Sequence, residues 1–259
     1  MRKRLLLAAV TISAFLLAAY GPRYGLLLLG LKLPQLSDWQ FSLYLTCSWI
    51  AIPMLTLAAW YGPRRVLREL GWRASVGTGL LMGLACTLPM LLGYAVLFPL
   101  TTTAGPALFS ALLRGAFWAG LSEETLFRGF LFGQLYRRVK LPWLLVVLVE
   151  SGIFATSHLY QSHDFASAVS VLAVTFGGGV WFGWLYKSWQ NLWVPIFLHM
   201  FMNGWWMLFD VADTAVGSVG ANVFRVMTIV LSVLLTRWHL RRQAARLAAP
   251  LVGAELATV

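Results

Sequence analysis

An all-α, polytopic integral membrane protein with about eight transmembrane helices is predicted by three features of this chain. Hydrophobic residues make up 59% of its 259 positions and charged residues only 11%, well under the quarter charged of ordinary soluble domains. Apolar runs of about 18 residues or more recur, the length a helix needs to cross a bilayer. Basic residues are concentrated in alternate connections between those runs, as in membrane proteins of fixed orientation. A chain of this length holds one such unit, a single transmembrane domain over residues 1–259, and no separate soluble domain.

Each element follows from its run. Leu5 to Tyr20, extendable to Leu31, comes after Met-Arg-Lys-Arg and resembles a secretory signal; with no small-x-small cleavage site behind it, it reads as an uncleaved first helix. Phe41 to Trp60 and Val76 to Leu100 are the next spans. Between them Pro63-Arg-Arg-Val-Leu-Arg-Glu-Leu-Gly has the pattern of a short amphipathic helix lying at the membrane surface. The run Pro106 to Tyr136 exceeds the roughly 20 residues a span needs, so it tilts or protrudes. Leu141 to Tyr160, Phe165 to Tyr186, Leu192 to Phe209 and Val216 to Trp238 complete the set. Trp181, Trp184, Trp189 and Trp193 bracket the sixth-to-seventh turn as an interfacial aromatic belt would. Gly177, Gly178 and Gly179 would let neighbouring backbones approach closely within lipid.

Charge sets the orientation and excludes one class of partner. One set of connections holds Arg2, Lys3, Arg4, Arg64, Arg65, Arg68, Arg73, Arg137, Arg138, Lys140, Lys187 and Arg237 to Arg246; the alternate set holds Lys32, Asp38, Asp164, Asp210 and Asp213. With eight crossings this places both termini in the cytoplasm of a multi-pass protein of the cell inner (plasma) membrane. The net charge of +11 is thereby assigned to anionic lipids at the cytoplasmic loops, with no nucleic-acid partner. Cys47 and Cys86 both fall inside spans, without the spacing of a disulfide framework or a metal motif.

Ionisable residues inside apolar segments are costly and commonly mark function. Glu123, Glu124 and Arg128 lie in one such segment, Phe154 and His158 in a second, His199 and Asn203 in a third. Residues four apart share a helix face, so Glu124 and Arg128 align while Glu123 points about 100° away. If Arg128 neutralises Glu124, Glu123 is left as the carboxylate suited to accept a proton from water. His158 could carry a second proton. His199 and Asn203, four apart, present donors to one spot, as a developing oxyanion requires. Phe154, one turn before His158, would wall the site. The plainer readings stand beside these: a buried Glu–Arg pair is also a structural tie, and an intramembrane His or Asn also serves as interhelical hydrogen-bonding glue.

The ordered patterns Glu-Glu-x-x-x-Arg, Phe-x-x-x-His and His-x-x-x-Asn, over roughly Pro106 to Trp206, resemble the CPBP family: the type II CAAX prenyl endopeptidases and the Abi or bacteriocin-processing intramembrane proteases. The resemblance implies hydrolysis of a peptide bond in a membrane-associated or lipidated protein or peptide. By it, Glu123 activates water with help from His158, His199 and Asn203 hold the oxyanion, and Glu124 and Arg128 organise the site. The implied cofactor is none. The helical zinc signature His-Glu-x-x-His is absent, although a Glu-His-His zinc site is chemically possible as the minority alternative. A catalytically silent scaffold or bacteriocin-immunity protein of the same family, and a proton-coupled transporter, are the rival functions; against the transporter, there is no evident inverted repeat.

Two matters fit less simply. At about 1.5 Å per residue from the basic ends, Glu123 and His158 lie roughly 20–25 Å deep and His199 nearer 12 Å. Glu150, Arg114 and Arg225 are further ionisable residues within spans, and Glu150 is expected to pair with one of those two arginines. His163 and His239 are expected to be solvated.

Overall fold

Apolar runs in lipid must satisfy their backbone polar groups internally, which favours helices. In the computed structural model, which describes residues 1–28, 30 and 37–248, no strand occurs among the described residues. Lys32, expected in the first connection, lies outside them. The helices are α1 (Arg2–Leu28), α2 (Asp38–Tyr61), α3 (Val66–Leu70, entered through a 3₁₀ turn at Pro63–Arg65), α4 (Val76–Leu97), α5 (residues 105–139), α6 (Trp143–Thr156), α7 (Phe165–Trp189), α8 (Trp193–Leu208) and α9 (Val219–Ala248). Leu5, Leu16, Leu81, Leu92, Val149 and Leu234 are exposed on its outer faces, as a lipid-facing surface requires.

Each of the eight expected runs falls on a helix. Six helical segments (α1, α2, α4, α6 with the turn that carries it on to Gln161, α7 and α9) are long and apolar enough to cross a membrane. The other two are α5 and α8. Helix α5 alternates α turns with wide π turns at Leu113–Trp118, Thr125–Phe132 and Leu135–Val139, and α8 has 16 residues. These two carry Glu123 and His199, and wide turns within helices recur at functional sites.

Helix α8 is seated without side chains between backbones. A Cβ on Gly79 of α4 would come within 2.5 Å of the Trp193 backbone, and one on Gly83 within 2.8 Å of Phe197 Cβ. On the other side, a Cβ on Gly120 of α5 would lie 3.1 Å from the Ile196 carbonyl oxygen. Small residues in lipid let helices meet this closely, and the consequence here is the position of His199.

The basic connections gather at one end and are knitted together. The Arg138 guanidinium holds both oxygens of the buried Glu69 carboxylate, with Nε to Oε2 at 2.7 Å, and Arg137 donates to the Glu69 carbonyl oxygen. Tyr186 Oη donates to the Leu70 carbonyl (3.2 Å), Trp193 Nε1 to that of Trp72 (3.0 Å) and Asn191 Nδ2 to that of Ser75 (2.9 Å). The expected amphipathic helix is α3 with its leading turn: Val66 and Leu70 are buried, Arg64, Arg65 and Arg68 exposed.

Three expectations need correction. The tryptophans are ties more than a belt, because Trp181 donates to Ser232 Oγ (3.0 Å) and Trp189 to Thr236 Oγ1 (2.9 Å) of α9. Only Gly179 of the triplet meets a neighbour, Ser151 of α6, while Gly177 and Gly178 face open space. His239 is stacked on Trp189 with ring centroids 3.9 Å apart, whereas His163 is exposed as expected.

Candidate active site

The depth mismatch disappears because α5 overshoots. Gly129 of α5 packs against Leu192 and the Leu70 carbonyl, so the start of α8 is level with Gly129 and not with the end of α5. Glu123 and His199 are then six and seven residues from that level, each about 9–10 Å along its helix. The remaining ten residues of α5 project past α8, which is how Arg137 and Arg138 reach Glu69.

At this shared level three helices converge on a buried charge cluster. Arg128 NH1 lies 3.1 Å from Glu124 Oε1, one turn away on α5, and Arg128 Nε lies 3.2 Å from Glu150 Oε1 of α6. All three side chains are fully buried. The Glu150 contact is ionic, since neither atom is aligned for a hydrogen bond. Arg128 NH2 also points at the Gly179 carbonyl of α7 (3.5 Å), and its plane sits 4.5 Å over the Phe154 ring. One guanidinium therefore ties α5, α6 and α7, with an aromatic face completing its desolvated shell. This overturns the pairing of Glu150 with Arg114 or Arg225. In the sequence Glu150, Phe154 and His158 recur every four residues and so share one face, which places Glu150 on the site side of α6 without naming its partner.

His199 links the cluster to the cavity. Its Nδ1 is 2.8 Å from Glu124 Oε1, the oxygen that also accepts from Arg128. An oxygen accepting from arginine accepts from histidine too, so Nδ1 carries a hydrogen and Nε2 is the nitrogen left for other work. That Nε2 lies 3.9 Å from Glu123 Oε2. Glu123 is 18% exposed, and its Oε2 is buried without a hydrogen-bond partner. Glu123 thus diverges from Glu124 as helical geometry dictates, and His199 touches both.

His158 sits just past the end of α6, in a turn. Its Nδ1 is 2.8 Å from the Phe154 carbonyl oxygen; a carbonyl only accepts, so Nε2 is again the unprotonated nitrogen in the neutral ring. Asn203 Nδ2 donates to the Gly115 carbonyl at 3.0 Å, leaving its second amide hydrogen available. Glu123, Phe154, His158, His199 and Asn203 all line one cavity of about 440 Å³, a size suited to a small ligand or short peptide stretch. Glu124 and Arg128 lie behind its wall. Both histidines face the cavity, and the one in direct contact with Glu123 is His199.

The cavity opens away from the basic end. Its rim is formed by Tyr160, Gln161 and the Ala212–Ala215 loop, joined where Ala215 N donates to Gln161 Oε1 (2.8 Å). Arg225 and Ile229 of α9 and Thr175 and Gly178 of α7 form one flank. Among the described residues no group of three His, Cys, Asp or Glu side chains converges as a metal site.

Fold and site together define a polytopic α-helical membrane protein with carboxylate and imidazole side chains gathered on the wall of one cavity. Residues 105–205, which contain every residue of the three sequence patterns, match the family described as type II CAAX prenyl endopeptidase Rce1-like. Over 97 residues the chain is 35% identical to the membrane-embedded CAAX protease MroQ of Staphylococcus aureus (strain USA300), covering 36% of each chain. Over 81 residues it is 33% identical to the putative membrane peptidase YdiL of Bacillus subtilis (strain 168), covering 31% of this chain and 29% of that one. The match spans about a third of the length of these curated relatives, and no solved structure matches. Residues 105–205 are thus similar to this endopeptidase family, the group the ordered sequence patterns resemble.

Proposed function

We propose that this protein is an intramembrane endopeptidase that hydrolyses a peptide bond of a membrane-associated or lipidated protein or peptide. The observation that carries the reading is Glu123: a carboxylate with one buried, unpartnered oxygen, 3.9 Å from His199 Nε2, at the wall of a cavity. Glu123 accepts the proton of the attacking water, and the Nε2 of His158 serves as the second proton carrier. His199, as imidazolium with Glu124 for a counter-charge, and the free amide hydrogen of Asn203 stabilise the oxyanion. Arg128 fixes Glu124, and Phe154 shields Arg128 from the cavity. No metal takes part in this scheme.

The basic end, held at the cytoplasmic face of the plasma membrane by anionic lipids, puts both termini inside and the cavity mouth on the opposite face. A membrane-impermeant thiol reagent applied to intact cells should then label Tyr160→Cys and spare Arg65→Cys; the reverse pattern inverts the orientation.

The function is tested with Glu123→Gln, which preserves size and hydrogen bonding but cannot take water's proton. Loss of a general base lowers rate on the order of 10²–10⁴-fold. Comparing the membrane proteomes of cells carrying wild type and Glu123→Gln should reveal a protein or peptide that accumulates uncleaved. Equal cleavage by a well-folded Glu123→Gln protein would end the assignment.

A further inference from the structure

Arg225 lines the same cavity as Glu123 and His199, yet it takes no part in the chemistry above. It lies about two turns into α9 from the mouth end. Its guanidinium rests 4.3 Å over the Trp206 ring, and NH1 donates to Asn222 Oδ1 at 2.8 Å. Both supports are themselves fixed. Asn222 Nδ2 donates to the Val216 carbonyl (2.7 Å), and Trp206 Nε1 to that of Ala212 (2.9 Å). The arginine is therefore held in place by neutral groups only.

Two arginines set deeper in the bundle or at its basic end are paired differently: Arg128 touches two carboxylates and Arg138 grips a third. Among the described residues no carboxylate lies within ion-pair distance of Arg225. Asp213 of the mouth loop lines the same cavity but is exposed and makes no such pair. A cation within an apolar segment is costly unless an anion accompanies it. A planar guanidinium stacked on one face offers its remaining donors edge-on, the geometry that receives a carboxylate.

We propose that Arg225 is a substrate-anchoring residue, binding a carboxylate on the mouth side of the scissile bond. The carboxylate is that of a free C-terminus or of an Asp or Glu side chain. This rests on the peptidase reading for its meaning, though not for its binding chemistry. The flank it occupies suits access: α7 and α9 are hydrogen-bonded at Trp181–Ser232 and Trp189–Thr236, and among the described residues no such bond joins them nearer the mouth. An extended chain lying between them would pass Arg225 before reaching Glu123.

The test is binding of three synthetic octapeptide pools to full-length Glu123→Gln protein in nanodiscs, where nothing is cleaved. One pool has free C-termini and no acidic side chains, one is amidated with Asp or Glu, and one is amidated and wholly uncharged. One of the first two pools should be retained about tenfold over the third, because a desolvated charge pair is lost without it; whichever is retained names the source of the carboxylate. Arg225→Gln should abolish the preference and Arg225→Lys should restore part of it, with both variants matching the parent in thermal unfolding. Equal retention of all three pools, or a preference unchanged in Arg225→Gln, overturns the proposal. Cleavage of the retained pool by protein with Glu123 intact is scored separately. Preferential binding without cleavage leaves the anchor standing and removes the peptidase.

Discussion

His199 and Glu124 are joined at 2.8 Å through an oxygen that Glu124 simultaneously gives to Arg128. The carboxylate thus orients the ring and keeps its Nε2 turned toward Glu123. Converting Glu124 to Gln keeps the shape but removes the charge that both partners share. Turnover in Glu124→Gln should fall on the order of 10–100-fold, the usual effect of losing a carboxylate that orients a histidine. Peptidase assays on purified protein measure this, and wild-type kcat in that variant would show that Glu124 is only a tie.

Arg128 offers a graded test of the buried cluster. Arg128→Ala strands both Glu124 and Glu150, and breaking a buried pair typically costs about 3–5 kcal/mol. Glu124→Gln with Arg128→Met should recover part of the loss, and adding Glu150→Gln should recover more, because the second stranded carboxylate is then neutral. Thermal unfolding in detergent orders the three. If the triple variant is no more stable than the double, Glu150 does not depend on Arg128.

Glu150 also shows what could and could not be read beforehand. Helix positions and the segregation of basic residues were legible, because lipid imposes length and the positive-inside bias imposes charge. The Glu124–Arg128 pairing was legible because one turn of helix is a local relationship. The partner of Glu150 was not, since it depends on how α5, α6 and α7 rotate against one another. Nor was the proximity of His199 to Glu123. Depth counted from loop ends assumes that helices begin at one level, and α5 runs ten residues past the start of α8. Arg225 had no sequence signal beyond its charge.

Metal content separates two chemistries on the same residues. With Glu123 as base on free water, carefully purified active protein should hold no stoichiometric zinc, and chelators should not reversibly inhibit it. His199→Ala and Asn203→Ala should each slow turnover, since each removes a donor used mainly in the transition state, without changing metal content. Stoichiometric zinc that disappears together with activity in His158 and His199 variants would replace the mechanism and keep the peptidase.

Asp164 caps α7 at the mouth, accepting from Ser167 N at 2.7 Å. That backbone hydrogen bond, joined by the Ser167 hydroxyl, holds its carboxyl below the ordinary value of 3.8. A depressed carboxylate contributes stability that is present above its unfolded pKa and lost as pH falls through the folded one. Asn also caps helices but does not titrate. Thermal unfolding of wild type should therefore drop more steeply than that of Asp164→Asn below about pH 4. Parallel curves would show that the cap frays independently of the fold.

The uneven fastening of the bundle has a mechanical consequence. The basic end is a riveted plate, in which Glu69, Leu70, Gly71, Trp72 and Ser75 are all held by α5, α7, α8 or the turn before α8. At the mouth, one hydrogen bond from Ala215 to Gln161 bridges the two rim loops. A structure stiff at one end and lightly latched at the other moves as a cantilever. Its free end is the rim of α7, since the mouth end of α9 is packed on α4 where Tyr94 Oη donates to the Ala221 carbonyl (3.2 Å) and Gly93 meets Phe224. Its clamped root, where glycines leave α8 no slack, is where His199 meets the carboxylates. If the peptidase reading holds, the mouth can yield to the bulk of an arriving chain without disturbing the few ångströms between His199 and the carboxylates.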